Sequence, residues 1–166
     1  LRSNSGFVAG VQFGVVTISG LRTLLLLHAN TPTPTVGNQG YVNGNVFETL
    51  RLTTGVYFVD CLLDVGNYEI SGNKFNNLLI QPTSAAKRAI RLGGTDMMDN
   101  SFDGKIWDWG VAAAGDDGRV LAIQGAVNDS GTNYDVANNR YVFPGLYPWY
   151  ADIHDKDYGV FAEAQV

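Results

Sequence analysis

One short pattern recurs four times in this chain in the same register, and it restricts the possible folds more than any other feature. Each copy has an aliphatic residue or methionine, two residues that are small or polar apart from Met98, an asparagine, any residue and an aromatic residue. The asparagines recur after 28, 27 and 39 residues, at Asn45, Asn73, Asn100 and Asn139. Such a repeat predicts stacked structural units that bury one continuous core.

Short stretches rich in aliphatic and aromatic residues lie between the copies, at 55–59, 88–92, 118–123 and 158–162. Two or three short strands per repeat, separated by turns, are typical of one coil of a parallel β-solenoid. The 20 glycines also favour tightly turned β structure over helices. The sequence therefore predicts an all-β parallel β-helix of about four to five coils, followed by an irregular C-terminal segment.

In a parallel solenoid, equivalent residues of successive coils lie about 4.8 Å apart, the ordinary spacing of hydrogen-bonded strands. The asparagine side chains can then hydrogen-bond along the stack and form a ladder. The aromatic residues two positions later would form a buried column of Phe47, Phe75, Phe102 and Tyr141. An earlier copy is expected at 18–23, with Leu21 in the asparagine position.

An antiparallel β-sandwich or jelly roll is the alternative fold. Asn43-Gly44 lies between apolar residues and is a good signal for a two-residue hairpin, and Gly131 and Gly145 also indicate turns. A sandwich, however, gives no reason for four copies of one asparagine–aromatic pattern in constant register. The repeat therefore favours the solenoid.

Composition and charge limit the functional classes. The chain has 166 residues, 45% hydrophobic and 16% charged, so a single folded domain is expected. We divide it into degenerate coil sequence at 1–40, repeat-bearing coils at 41–145 and a terminal strand with a capping segment at 146–166. A net charge of −5 disfavours nucleic acid as a partner. Apolar runs are too short for a membrane span, so no membrane insertion is expected.

The segments Ile70–Phe75 and Met98–Phe102 resemble the right-handed parallel β-helix of pectate-lyase-like proteins. Among these, the short non-repetitive tail is similar to bacteriophage tailspikes and neck appendages. The resemblance covers roughly residues 16–142. It implies an extracellular virion protein, typically a homotrimer, that binds and often cleaves bacterial surface polysaccharide. Complete enzymes of this type carry many more coils, so we expect this chain to be one segment of a spike.

Two sets of acidic residues recur in the aligned register. The first lies four positions before the asparagines, faces away from the core, and consists of Glu69, Asp96 and Asp135. The second lies three positions after the asparagines and contains Glu48 and Asp103, two coils apart with Asn76 between them. Neighbouring coils give the carboxyl spacing of retaining glycosidases, and a two-coil separation is close to that of inverting ones. Both sets are candidate catalytic residues, and a solvated acidic face is the alternative explanation.

Aromatic residues in the last third of the chain are candidates for ligand binding. On a strand, Trp107 and Trp109 would direct both rings to one face. Tyr147 and Trp149 form a second cluster with Tyr150. Such rings can stack on sugars, or they can fill the core or a subunit interface. No metal and no cofactor are expected, because residues 152–157 lack the ligand spacing of a metal-binding motif.

Three functional classes follow from these features. The first is recognition of bacterial surface polysaccharide by an aromatic and acidic face of the β-helix. The second is a C-terminal trimerisation domain, which some spikes release by self-cleavage. The third is a glycoside hydrolase or polysaccharide lyase that works through stacked carboxylates.

Overall fold

The computed structural model describes residues 1–3, 6–31, 33–64, 66–93, 97–112, 121–125, 138–153 and 158–161. Within these ranges the chain forms a parallel β-solenoid of about four turns. The fold predicted from the repeat is confirmed, and the antiparallel sandwich is wrong, because every pair of strands is parallel.

Each coil contributes one strand to each of three sheets. Strand β1 (Arg2–Ser3) precedes the coils. The first coil consists of β2 (Phe7–Ala9), β3 (Gln12–Ser19) and β4 (Thr23–Ala29). The second consists of β5 (Tyr41–Asn43), β6 (Val46–Thr53) and β7 (Tyr57–Leu63). The third consists of β8 (Glu69–Ser71), β9 (Lys74–Gln81) and β10 (Arg88–Gly93).

The remaining elements are shorter. The fourth coil contains β11 (Met97–Met98), β12 (Ser101–Ile106), the one-turn helix α1 (Trp109–Ala112) and β13 (Ile123–Gln124). After it come β14 (Arg140–Val142), a 3₁₀ turn (Pro148–Tyr150), β15 (Ala151–Asp152) and β16 (Tyr158–Val160).

The strands stack into sheets in a simple order. The first sheet contains β2, β5, β8 and β11. The second sheet contains β3, β6, β9, β12, β14 and β16, and the third contains β1, β4, β7, β10, β13 and β15. The stretch at 158–162 was grouped with those at 55–59 and 88–92, whose strands lie in the third sheet. This grouping is wrong, because Tyr158 pairs with Arg140 in the second sheet. In the third sheet, Ala151 occupies the place next to Ile123.

A left-handed residue precedes each asparagine of the repeat and turns the chain from the first sheet into the second. Gly44 and Gly72 both have φ 62°, while Asp99 and Asn138 have φ 56° and 68°. Glycine, aspartate and asparagine are the residues that adopt this conformation at least cost. Asn43-Gly44 therefore forms the turn from β5 in the first sheet to β6 in the second, and not the hairpin turn that the sequence suggested.

The asparagines form a buried ladder in which every amide hydrogen bond is used. The Asn73 side-chain nitrogen donates to the Asn100 side-chain oxygen (3.0 Å) and to the Val42 carbonyl (2.9 Å). Its own oxygen accepts from the side chain of Asn45 (2.9 Å) and from the Asn45 backbone N–H (3.1 Å). The same geometry relates Asn100 to Asn139.

The aromatic residues that follow the asparagines form a buried column. Phe47, Phe75 and Phe102 have ring centroids 4.7 and 4.8 Å apart, and Tyr141 continues the stack at 5.5 Å. Phe13 extends the column toward the N-terminus at 4.6 Å from Phe47. These rings interdigitate with the aliphatic side chains of all three sheets in one core.

The degenerate first copy lies earlier than the sequence suggested. Val11 occupies the asparagine position, because its backbone N–H donates to the Asn45 side-chain oxygen at 3.1 Å. Phe13 pairs with Phe47, whereas Ile18 pairs with Leu52 on the following part of the strand. The copy predicted at 18–23 is therefore wrong: without its asparagine, the true copy was not recognised.

Both ends of the described solenoid have edge strands and partly buried apolar residues. At the N-terminal end, β2 and β3 are edge strands, and Phe13, Val16 and Ile18 are partly buried against the core. At the other end, β15 and β16 are edge strands, and Ile153 and Phe161 are partly buried against the core.

Replacement of Asn73 by alanine should lower the free energy of unfolding by about 1–3 kcal/mol, because buried partners of its amide lose their hydrogen bonds. Urea denaturation measures this loss. Asn77→Ala is the matched control in the same coil, since Asn77 is exposed and makes one long contact of 3.4 Å with Thr49. Equal stability of the two variants would contradict a stabilising ladder.

Replacement of Phe75 by alanine should cost about 3–5 kcal/mol, because the coils on either side hold the cavity open. The exposed ring of Phe7, on the outer surface, provides the control variant Phe7→Ala. Denaturation midpoints that shift equally for both variants would show that the column does not support the fold.

Candidate functional site

The outer face of the first sheet carries a column of aromatic side chains next to polar ones. Phe7, Tyr41 and Glu69 occupy equivalent positions on successive strands. The rings of Phe7 and Tyr41 stack at 5.1 Å, and Tyr68 meets Tyr41 edge-on at 6.3 Å. Phe7 is 66% exposed and Tyr68 is 57% exposed, so this surface offers large apolar rings to solvent.

Polar groups adjoin these rings. The Asn43 side-chain nitrogen donates to a carboxylate oxygen of Glu69, and the Asn43 oxygen accepts from the backbone of Ser71 at 3.1 Å. This pair orients the carboxylate beside Tyr41 and Tyr68. The other two predicted members of the acidic column, Asp96 and Asp135, lie outside the described residues. We call the group of Phe7, Tyr41, Tyr68, Asn43 and Glu69 the aromatic face.

The second predicted acidic set lies on the outer surface of the second sheet and is bound by neighbouring side chains. Glu48 accepts hydrogen bonds from Gln12 (3.0 Å) and from Asn76 (2.9 Å). Asp103 lies 3.6 Å from the guanidinium of Arg140. These contacts connect successive coils, and a catalytic role for the two carboxylates stays a prediction.

The two tryptophans do not share a face. Strand β12 ends at Ile106, and Asp108 then adopts a left-handed backbone with φ 46°, so the side chains no longer alternate. Trp109 is 2% exposed and packs edge-on against Phe58 at 6.4 Å. Trp107 is partly exposed, and the Lys105 ammonium lies 5.8 Å from its ring centre.

Tyr147 and Trp149 form an exposed pair near the C-terminus. Their rings stack at 4.4 Å, with planes 8° apart, and each leaves its other face toward solvent. Pro148 lies between them at the start of the 3₁₀ turn, where its fixed φ and missing N–H are tolerated. A cavity lined by Tyr147 and Tyr150 lies beside this pair.

Sequence reasoning missed a partly buried ion pair in the third sheet. Arg91 donates two hydrogen bonds to the Asp60 carboxylate, at 2.8 and 2.7 Å, and its guanidinium covers the Tyr57 ring at 4.7 Å. The hydrogen bond to Asp60 raises the pKa of Arg91 above its usual value. Because Asp60 and Arg91 belong to different repeats, only the register of the solenoid could have revealed the pair.

A second residue that sequence reasoning missed is Asn67, whose side chain makes hydrogen bonds to the long connection between β4 and β5. Its side-chain oxygen accepts from the backbone N–H groups of Thr31 (2.8 Å) and Gly40 (2.9 Å). Its side-chain nitrogen donates to the Asp64 carbonyl at 3.1 Å. Asn67 therefore holds both ends of the connection between β4 and β5, which lengthens the interval from Val11 to Asn45.

Two groups that often carry chemistry are structural. Cys61 is fully buried, and burial raises the pKa of its thiol above the ordinary range, so it is an unreactive core residue. The His28 side chain lies 3.1 Å from the Asp64 carboxylate. In the described parts of the chain, no group of three or more histidine, cysteine, aspartate or glutamate side chains could hold a metal ion.

Comparisons with known proteins find no relative. No family model matches the chain, and no curated protein and no solved structure matches it significantly. No helix in the described ranges is long and apolar enough to cross a membrane.

Replacement of Arg91 by alanine should lower the free energy of unfolding by about 2–3 kcal/mol, because the Asp60 carboxylate would remain buried without a partner. Thermal and urea unfolding both measure this effect. Arg51→Ala, an exposed arginine on β6, is the control and should change stability little. A similar loss in the two variants would argue against a specific role for the pair.

Proposed function

We propose that this chain is a segment of an extracellular phage-type spike and that its aromatic face recognises bacterial surface polysaccharide. The single observation that supports this proposal is the continuity of exposed rings and hydrogen-bonding groups on one sheet. Sugar rings present C–H faces, which pack on aromatic planes, and hydroxyl groups, which need amide and carboxylate partners.

The free ring surfaces have the orientation that this binding requires. Phe7 stacks on Tyr41 through one face, and its other face, toward the N-terminal end, remains open to solvent. Tyr68 stands edge-on to Tyr41 and presents a second exposed surface. Glu69 and Asn43 lie within reach of a ligand on these rings, and each keeps an acceptor for a sugar hydroxyl.

The periodicity of the solenoid also suits a linear polymer. Equivalent side chains recur about every 4.8 Å along the axis, close to the length of one sugar unit. A rigid row of such positions needs little reorganisation on binding, which lowers the entropic cost of association.

Loss of the two most exposed rings should abolish this recognition. The double variant Phe7→Ala/Tyr68→Ala is expected to weaken binding to an array of bacterial surface polysaccharides at least tenfold. Each ring that stacks on a bound ligand contributes on the order of 1 kcal/mol or more to the binding free energy. Tyr158→Ala is the matched control, because Tyr158 is also 57% exposed but lies in the second sheet.

Unchanged binding of the double variant would contradict the proposal, as would failure of the unaltered chain to bind any polysaccharide on the array. Release of reducing ends from a bound polysaccharide, lost in Glu69→Gln, would add hydrolysis to recognition. Circular dichroism of each variant verifies that the solenoid is intact.

A second candidate function is self-assembly into a trimeric spike. Edge strands and partly buried apolar residues at both ends of the described solenoid, such as β3 with Phe13 and β16 with Phe161, would gain from coverage by another subunit or by flanking chain. Sedimentation equilibrium of the chain tests this candidate. A trimer supports it, and a stable monomer at high concentration contradicts it.

A further inference from the structure

A cavity of about 400 Å³ lies between the end of the fourth coil and the turn that precedes β15. Ile106 and Leu146 form its apolar floor, and Trp109, Tyr147 and Tyr150 supply aromatic walls. Asp108 lies at its edge and is exposed to solvent. These residues are distinct from those of the aromatic face, so the cavity is a separate candidate site.

The backbone around the cavity is fixed by specific contacts. The Tyr150 N–H donates to the Tyr147 carbonyl at 3.0 Å, and the Tyr150 carbonyl accepts from Ala122 at 2.7 Å. A β-carbon added at Gly110 would lie 1.8 Å from the Tyr150 hydroxyl, so only glycine allows this ring to reach its place. The aromatic walls are therefore held to the solenoid and do not depend on a free loop.

Asp108 differs from most other carboxylates of the molecule. Asp60, Glu48, Glu69 and Asp103 each bind a side chain of a neighbouring coil. For Asp108, the described residues supply no hydrogen bond and no ion pair, and its left-handed backbone, φ 46°, is a conformation that aspartate adopts at small cost. An unpaired carboxylate at the edge of an aromatic cavity is suited to a cationic ligand.

We propose that this cavity binds an organic ammonium group. A cation over the face of a tyrosine gains from the ring quadrupole, and the gain increases when the cation is partly desolvated, as in a recess lined by Tyr147 and Tyr150. The carboxylate of Asp108 supplies the opposite charge, and the net charge of −5 attracts cations to the chain. A hard metal ion would require several oxygen ligands, and this cavity presents one carboxylate.

The test uses choline and its neutral isostere, 3,3-dimethyl-1-butanol, titrated into the full chain and followed by tryptophan fluorescence and calorimetry. We expect saturable binding of choline that weakens with added salt, and at least tenfold weaker binding of the alcohol. Glucosamine and N-acetylglucosamine form a second pair, which distinguishes an amino sugar from a small ammonium ion as the source of the charge.

Asp108→Asn is the decisive variant, because asparagine removes the charge and tolerates the left-handed backbone at least as well as aspartate. It should reduce choline or glucosamine affinity about tenfold or more without loss of stability. Tyr147→Leu should weaken binding through the lost ring, and Asp152→Asn, an exposed aspartate on β15, should have no effect.

Three results would overturn the proposal: equal affinity for the charged and neutral members of both pairs, no effect of Asp108→Asn, or no binding of any of the four probes. Binding of either ammonium compound, lost in Asp108→Asn, supports it and identifies its class of ligand. Because Phe7 and Tyr68 are not involved, failure here leaves the polysaccharide test of the aromatic face unaffected.

Discussion

The asparagine ladder is the interaction on which the rest of the molecule depends. Each interior amide donates once to a carbonyl of the preceding coil and once to the next asparagine, and its oxygen accepts twice from the preceding coil. A buried amide with four partners stabilises the stack, whereas the same amide one residue out of register would leave several polar groups unpaired. The ladder therefore fixes the register of all three sheets, and with it the stacking of the core rings.

This register explains which features the sequence could predict. Coil stacking, the ladder and the column of Phe47, Phe75 and Phe102 all repeat at one spacing, so alignment of the copies was enough to infer them. Asp60 and Arg91 meet across coils but do not repeat, and Val11 replaces an asparagine, so neither gives a periodic signal. Trp109 was misplaced because a single left-handed residue, Asp108, ends the alternation of β12.

The fixed register also constrains the outer surface. Inward side chains of the strands pack in the core and are mostly apolar, whereas outward side chains are free to vary, so polar and charged residues are found mainly on the outside of the sheets. On the first sheet the equivalent outward positions change from Phe7 and Tyr41 to Glu69, while the inward neighbours Val42 and Ile70 remain aliphatic. This variation gives the outer surface of the first sheet its mixture of aromatic and polar side chains.

The cavity adjoins the longest interval between asparagines of the repeat. The interval from Asn100 to Asn139 is 39 residues, and it contains the left-handed Asp108, the buried Trp109 and the start of the cavity. The turn after β14 completes the cavity with Tyr147 and Tyr150, and the Ala122–Tyr150 hydrogen bond fixes it to the third sheet. Since the ladder continues across this interval through Asn100 and Asn139, its greater length does not interrupt the stack.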